Sequence, residues 1–453
     1  MSNELISNFS LHSESIDRNK ELIIDPDNVF WAILKKGNHD PLTQRKILAL
    51  YKKVKTKLNT QIKELRFKTS LNAVYLDAVD ACNANCPYCY IPSKVRKSKK
   101  ELSEEQLVWI LKKLTGYFKG QRRDSTNKPV IIFHASEPLL IKNRIFNLID
   151  KFNHIFHFGI QTNALLLEKS DIKFIKNNKV SVGISLDSCD YKVNNRSRLN
   201  VAGGGNFYKA VEAIEWFRGY EGLNVISTIT KYNVKTLPQF VRFMHAKRVP
   251  CVLLNPVRTT RRTTVKLRPN QKDLTRYFIK AVEEAINISQ RQKRGIIIGN
   301  FSNIVLGIVS PNARRLMCDI SPCGGGRCFL TITSGGDMIP CGEFTGQEGF
   351  SGGNIFTSSI KEALNSPAFK KVRARVVEKI KECDECLYRN ICGAPCPAEA
   401  ASLNKDMYKI SPYCDFFKEL INYAFKLIAA DKIKYLFHKD TAKNLKYEYN
   451  LRL

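Results

Sequence analysis

A chain of 453 residues, 43% hydrophobic and 25% charged, is too long for one small core and too apolar for global disorder, so two or three domains are expected. Its 73 Lys and Arg against 42 Asp and Glu leave a net charge of +31. Such a balance suits acidic partners (nucleic acid, an acidic peptide, an anionic surface), or else a lysine-rich solvated face. The first nine residues lack the basic and apolar regions of a secretory signal, and no stretch reaches the roughly 18 apolar residues of a membrane span. The 14 cysteines are therefore expected in the cytoplasm, serving metal ligation or redox chemistry rather than disulfides.

Residues 1–70 hold no cysteine and are expected to form a helical N-terminal extension. Across 41–67, Ile47, Leu50, Tyr51, Val54, Leu58, Ile62 and Leu65 share one face of a helix, with lysines on the other. From 71 to 300, short apolar runs alternate with amphipathic stretches. Strands are expected at 73–79, 130–133, 156–161, 180–186, 223–229 and 251–254. Helices are expected at 103–118, 141–152, 169–177, 207–217 and 236–245, the first opened by a Ser103–Gln106 capping box. Six strand–helix units imply an α/β fold, a partial (β/α)6 barrel of TIM type with its chemistry at the carboxyl ends of the strands. A long helix capped by Asn270 follows. Residues 310–415 hold nine of the cysteines and form a separate domain held by metal, and 416–453 make a helical basic tail.

Just past the first strand, Cys82, Cys86 and Cys89 stand at C-x3-C-x2-C spacing. Three thiolates on a short loop can hold three irons of a [4Fe–4S] cluster and leave the fourth open to a ligand. A three-cysteine zinc site is the alternative use. The second constellation runs from Cys323 through Gly336 and Cys341 to Cys383-x2-Cys386-x5-Cys392-x3-Cys396 and Cys414. With Cys318 it supplies eight thiols, enough for two fully ligated [4Fe–4S] clusters. Cys328, also five residues from Cys323, is the alternative to Cys318.

The Cys82–Cys89 segment, with Tyr88 before its last cysteine, resembles the radical S-adenosylmethionine (SAM) enzymes. The resemblance implies that the open iron chelates the SAM amine and carboxylate. It also implies that one electron cleaves the sulfonium, giving a 5′-deoxyadenosyl radical that takes a hydrogen atom from the substrate. Phe133-His-Ala-Ser-Glu137-Pro is similar to the family's Gly-Gly-Glu-Pro motif, whose glutamate Glu137 implies a hold on the SAM amino group. Ala135 and Ser136 replace both glycines, each adding a Cβ where the family brings backbone up to the methionine moiety. Gln161-Thr-Asn163 and Ser185-Leu-Asp187 resemble the family's strand ends, where the serine, here Ser185, contacts SAM. Asn195-Arg-Ser-Arg198 ahead of Gly203-Gly-Gly-Asn-Phe207 resembles its polar-arginine segment, which makes Arg198 the expected partner of the SAM carboxylate and Arg196 the alternative.

The later cysteines resemble the SPASM extension of these enzymes. That resemblance implies one auxiliary cluster on Cys318, Cys323, Cys341 and Cys396 and another on Cys383, Cys386, Cys392 and Cys414, three [4Fe–4S] clusters in all. The implied activity is modification of a ribosomally made peptide or protein by oxidation, thioether formation or a carbon–carbon crosslink. An external one-electron donor such as flavodoxin or ferredoxin would drive it, and an acidic leader on the substrate would suit the basic charge. Alternatives are a sulfatase-maturase-like oxidase that forms formylglycine, an iron–sulfur scaffold that no longer cleaves SAM, and nucleic-acid modification, against which SPASM-type cysteines argue. Arg258, Arg261, Arg262, Lys266 and Arg268 crowd one loop, as a receiver for an acidic leader or as a solvated basic turn. Cys251 is expected in a core strand and Cys189 as a bystander thiol. No residue is singled out as a catalytic base.

Overall fold

The computed structural model describes residues 10–38, 40–121, 128–438, 441, 451 and 452. The N-terminal block differs from the helical extension expected of it. Strands β1 (His12–Ser15), β2 (Lys20–Ile24) and β3 (Trp31–Lys35) form an antiparallel meander ahead of the helix Pro41–Phe67. One face of that helix, Ile47, Tyr51, Val54 and Leu58, buries against Ile23, Phe30, Ala32 and Leu34. The pattern hid these strands because β3 is buried on both faces over Trp31–Leu34, leaving a short apolar run without period-two alternation. The block is pinned to the body by polar contacts. Arg66 meets Glu378 through both terminal nitrogens at 2.7 and 2.8 Å and donates from Nε to the Ser321 carbonyl at 2.6 Å. The Trp31 indole donates to the Ile308 carbonyl at 3.0 Å.

Strands β4 (Ala73–Leu76), β5 (Val130–Phe133), β6 (His157–Thr162), β7 (Ser181–Ser185), β8 (Leu223–Ile229) and β9 (Cys251–Pro256) pair in sequence order, all parallel. Their helices cover the outer face, and the Ser103–Gln106 capping box and the Asn270 cap both form. The barrel is partial. Beyond β9 lies the two-residue β10 (Ile297–Ile298), and beyond β4 lies β11 (Phe329–Ile332), parallel to it, followed by antiparallel β12 (Met338–Ile339). The cysteine-rich region thus continues the barrel sheet and is welded to it by main-chain bonds. In the tail, helix Cys414–Ala429 packs on Gln271–Arg291, with the Phe278 and Phe416 rings 5.3 Å apart, and β13 (Leu451–Arg452) adds to the N-terminal sheet beside β3. The rest of the expected helical tail lies largely outside the described residues. Among those described, no helix is long and apolar enough to cross a membrane.

Candidate cofactor and iron–sulfur sites

The C-x3-C-x2-C loop leaves the carboxyl end of β4. It is fastened to residues 199–201 by Asn85 N to Leu199 O at 2.7 Å and Val201 N to Asn83 O at 3.0 Å, and it turns tightly where Cys89 N meets Cys86 O at 3.1 Å. Cys82, Cys86 and Cys89 lie within electrostatic reach of one another. Burial is the main cause that pushes the Cys82 thiol up to about 12 and Cys86 to about 11. Such thiols become thiolates when a bound cation offsets that desolvation, as iron does. All 14 cysteines are free. Among the described residues, no three His, Cys, Asp or Glu side chains gather tightly enough for a single metal ion.

The Ala135-Ser136 turn keeps the backbone that glycines would adopt. Ala135 has φ 60° and Ser136 φ 47°, both in the left-handed region. Ser136 is held there by its hydroxyl, which donates to the Asp80 carbonyl at 2.6 Å. Glu137 is fully buried. Its Oε1 accepts from Thr162 Oγ1 at 2.8 Å and Leu139 N at 3.1 Å, and its Oε2 from Asn163 N at 2.8 Å. Burial pushes its carboxyl up to about 7 against these hydrogen bonds. The carboxylate ties the β5 turn to the end of β6, and three of its roughly four acceptor positions are filled by protein.

Asp187, two residues past β7, organises the remaining groups. Its Oδ1 accepts from Arg198 Nη2 at 3.0 Å and Thr228 N at 2.9 Å, and its Oδ2 from the Tyr88 hydroxyl at 2.5 Å. The Arg198 guanidinium also lies over the Tyr88 ring at 5.3 Å, and its Nε is buried without a partner. Arg196 instead lies over Tyr232. Ser185 is half-buried, and its carbonyl accepts from Asn206 Nδ2 at 2.9 Å, which also reaches Asn163 O at 2.9 Å. The expected residues Tyr88, Ala135, Ser136, Glu137, Ser185 and Arg198 therefore line the carboxyl ends of β5 to β7 beside the cysteine loop. Asp187 and Asn206, which stand within the sequence motifs, join them. Their signal was position: one ends a strand segment, the other closes a glycine turn.

The later cysteines fall into two groups. Cys318 is in electrostatic reach of Cys323 and Cys396, and Cys341 of Cys318 and Cys323. Cys383, Cys386, Cys392 and Cys414 form the other group. Backbone amides address the sulfurs, Gly325 N to Cys323 Sγ and Glu399 N to Cys396 Sγ, each at 3.4 Å. Cys328 neighbours Cys323 and Arg327, while its carbonyl accepts from Asn72 N at 2.7 Å in the seam between β11 and β4. Two arginines of the expected basic loop turn inward. Arg258 stands between Glu343 (3.6 Å) and Glu399 (3.7 Å), and Arg261 donates to the Cys89 carbonyl. Cys189 is half-buried past β7, and Cys251 opens β9 with burial pushing its thiol up to about 11.

Residues 78–245 match the family model of the radical SAM superfamily, and residues 323–387 match that of an iron–sulfur cluster-binding domain, SPASM. A protein of Archaeoglobus fulgidus with no assigned function is 39% identical over 415 residues, 92% of this chain and 94% of that one. A cysteine-type anaerobic sulfatase-maturating enzyme of Clostridium perfringens is 24% identical over 374 residues, 78% of this chain and 96% of its own. The solved structure of native anSMEcpe with bound AdoMet and Cp18Cys peptide superposes with a TM-score of 0.68 at 19% identity, covering 83% of this chain and 99% of that one. The chain belongs to the radical SAM superfamily and carries its SPASM iron–sulfur domain. Its cofactors are accordingly SAM and [4Fe–4S] clusters, and the mostly half-buried free thiols, the amides aimed at sulfur and the unpartnered Arg198 Nε fit them.

Proposed function

We propose that the protein is a radical SAM peptide maturase that modifies a ribosomally made peptide or protein. Cys82, Cys86 and Cys89 would hold the SAM-binding cluster. Cys318, Cys323, Cys341 and Cys396 would hold one auxiliary cluster, and Cys383, Cys386, Cys392 and Cys414 the other. The observation that carries the reading is the gathering of these thiols into three separate sets, mostly half-buried, the first beside a strand-end shell of polar groups. A maturating enzyme among the relatives supports the substrate class.

When bound, the SAM and its cluster supply a radical able to take a hydrogen atom from an unactivated carbon. The chain's own residues position that chemistry. The Ala135-Ser136 turn would present main-chain groups to the amino-acid end of SAM, and Arg198, oriented by Asp187 and by the face of Tyr88, would offer Nε to its carboxylate. Electrons would come from an external one-electron donor such as flavodoxin or ferredoxin. The basic surface would favour an acidic leader on the substrate. Fourteen free thiols suit a reducing cytoplasm.

The test is anaerobic incubation of reconstituted protein with SAM, dithionite and the peptides translated from open reading frames beside its gene. A peptide mass change that depends on SAM supports the reading. A loss of two mass units without a crosslink assigns sulfatase-maturase-like oxidation. A modified base in added transfer RNA, with the peptides unchanged, overturns it.

A further inference from the structure

Leu76 and Phe133 are register partners at the ends of the parallel strands β4 and β5, so the next residues, Asp77 and His134, emerge side by side at the carboxyl end of the barrel. His134 N to Leu76 O at 3.1 Å holds the pair together past the strands. Asp77 is 4% exposed, and neither carboxylate oxygen has a hydrogen-bond partner. The His134 imidazole faces it, with Nδ1 3.5 Å from Oδ1. A buried carboxylate with nothing else to satisfy it is a costly feature to keep without a purpose.

The same imidazole nitrogen is approached by the Tyr90 hydroxyl at 3.5 Å, and the ring is fixed between Tyr75, edge-on at 5.3 Å, and Tyr90, stacked at 6.3 Å. Both polar neighbours address Nδ1, and among the described residues none is bonded to Nε2. The His134 side chain keeps 22% of its surface open, against 6% for Asp77 behind it. The location is chemical as well. Tyr90 follows Cys89, His134 precedes the Ala135-Ser136 turn, and a Cβ on Gly342, next to Cys341, would stand 3.5 Å from both Asp77 Oδ2 and the Tyr90 hydroxyl. The pair thus sits between the first cysteine loop and the nearer auxiliary thiols. The titratable groups that face the ring are Asp77 and Tyr75 from β4 and its end, Tyr90 from the cysteine loop, and Glu343 from beyond β12.

We propose that His134 is the catalytic residue that accepts the substrate's proton through Nε2, with Asp77 as its positioning residue. An acid 3.5 Å from Nδ1 favours the proton on that nitrogen and so leaves Nε2 as the acceptor. The proposal rests on the peptide-oxidising reading above. In that reaction a peptide C–H hydrogen leaves as an atom to the cofactor-derived radical. The carbon radical left behind loses one electron to an auxiliary [4Fe–4S] cluster, a one-electron acceptor. It loses one proton, from the adjacent O–H, S–H or N–H, to His134. The product lacks two hydrogens, and the imidazolium returns its proton to solvent through its open face. The target residue therefore carries a heteroatom-bound hydrogen next to the reacting carbon.

Two measurements on reconstituted holoenzyme decide the matter. The first is the rate of carbethoxylation of His134 by diethyl pyrocarbonate at fixed neutral pH, read by peptide mass mapping, for the wild type and Asp77→Asn. An accessible ring whose Nδ1 faces Asp77 predicts labelling of the wild type at a rate that falls about threefold or more in Asp77→Asn. No labelling, or an unchanged rate, overturns the assignment whether or not any peptide is a substrate. The second uses capped glycine hexapeptides carrying a single Cys, Ser, Thr or Lys. The wild type is expected to remove two mass units from a member of this set. His134→Gln is expected to lose about a hundredfold or more of that product while still releasing 5′-deoxyadenosine with the peptide present. Full product formation by His134→Gln overturns the proposal. No oxidation of any peptide by the wild type counts against the peptide reading, and the labelling rates then test the pairing of Asp77 with an open His134 ring by themselves.

Discussion

Replacing Ala135 and Ser136 singly by glycine separates backbone strain from side-chain anchoring in the turn that faces SAM. Both residues sit at positive φ, 60° and 47°. A Cβ there costs roughly 1–2 kcal/mol in the left-handed region. Glycine relieves that strain but loses more entropy on folding, about 0.5–1 kcal/mol. For Ala135→Gly the strain term prevails, and a net stabilisation of about 0.5–1 kcal/mol is expected. Ser136→Gly also forfeits the 2.6 Å hydrogen bond to the Asp80 carbonyl, about 1 kcal/mol, so it should be neutral to slightly destabilising. Urea unfolding of the apoprotein at neutral pH, read by circular dichroism, gives both values. Destabilisation by Ala135→Gly of more than about 1 kcal/mol would refute the reasoning, because it would mean that the methyl group packs rather than strains.

Asp187→Ala leaves the buried Arg198 guanidinium without its carboxylate, and a loss of about 3–5 kcal/mol in apoprotein stability is expected by chemical denaturation, with weakened SAM binding by calorimetry. Gly393→Ala would set a Cβ 2.5 Å from the Ile320 backbone at φ +67°, so misfolding around Cys392 and Cys396 is expected, seen as about four fewer irons per chain. Glu137 supplies a pH test. Folded, its carboxyl holds a proton up to about 7, whereas the unfolded chain releases it near the ordinary 4.5. Between these values the folded state binds more protons, so apoprotein stability should fall with rising pH by up to roughly 1.4 kcal/mol per unit. Glu137→Gln should abolish that contribution, checked by urea unfolding at pH 5 and pH 7.5.

The barrel was legible because each of its six strands is a short apolar run followed by an amphipathic helix, and two of them, Val130–Phe133 and Leu223–Ile229, fall where the pattern placed them. The cysteine loop was legible through spacing alone. The N-terminal meander was not, since its buried strands lack alternation, and neither was β11, whose four buried residues lie inside the cysteine-rich stretch expected as a separate metal-held domain. Asp77, His134 and Arg258 escaped for a different reason. A lone acid, histidine or arginine carries no spacing signal, and its meaning arises only when β4, β5 and the auxiliary region meet. Arg258 in particular sits in a run of basic residues that reads as solvated, yet the fold turns it toward Glu343 and Glu399.

The central claim is that three thiol sets hold three clusters, one of which cleaves SAM. Iron and sulfide per chain, followed by 5′-deoxyadenosine release with dithionite and SAM, measure it directly on anaerobically reconstituted protein. About twelve irons together with 5′-deoxyadenosine are predicted. About four irons would remove the auxiliary sites, and a full complement of iron without 5′-deoxyadenosine would contradict the account and leave an iron–sulfur scaffold in its place.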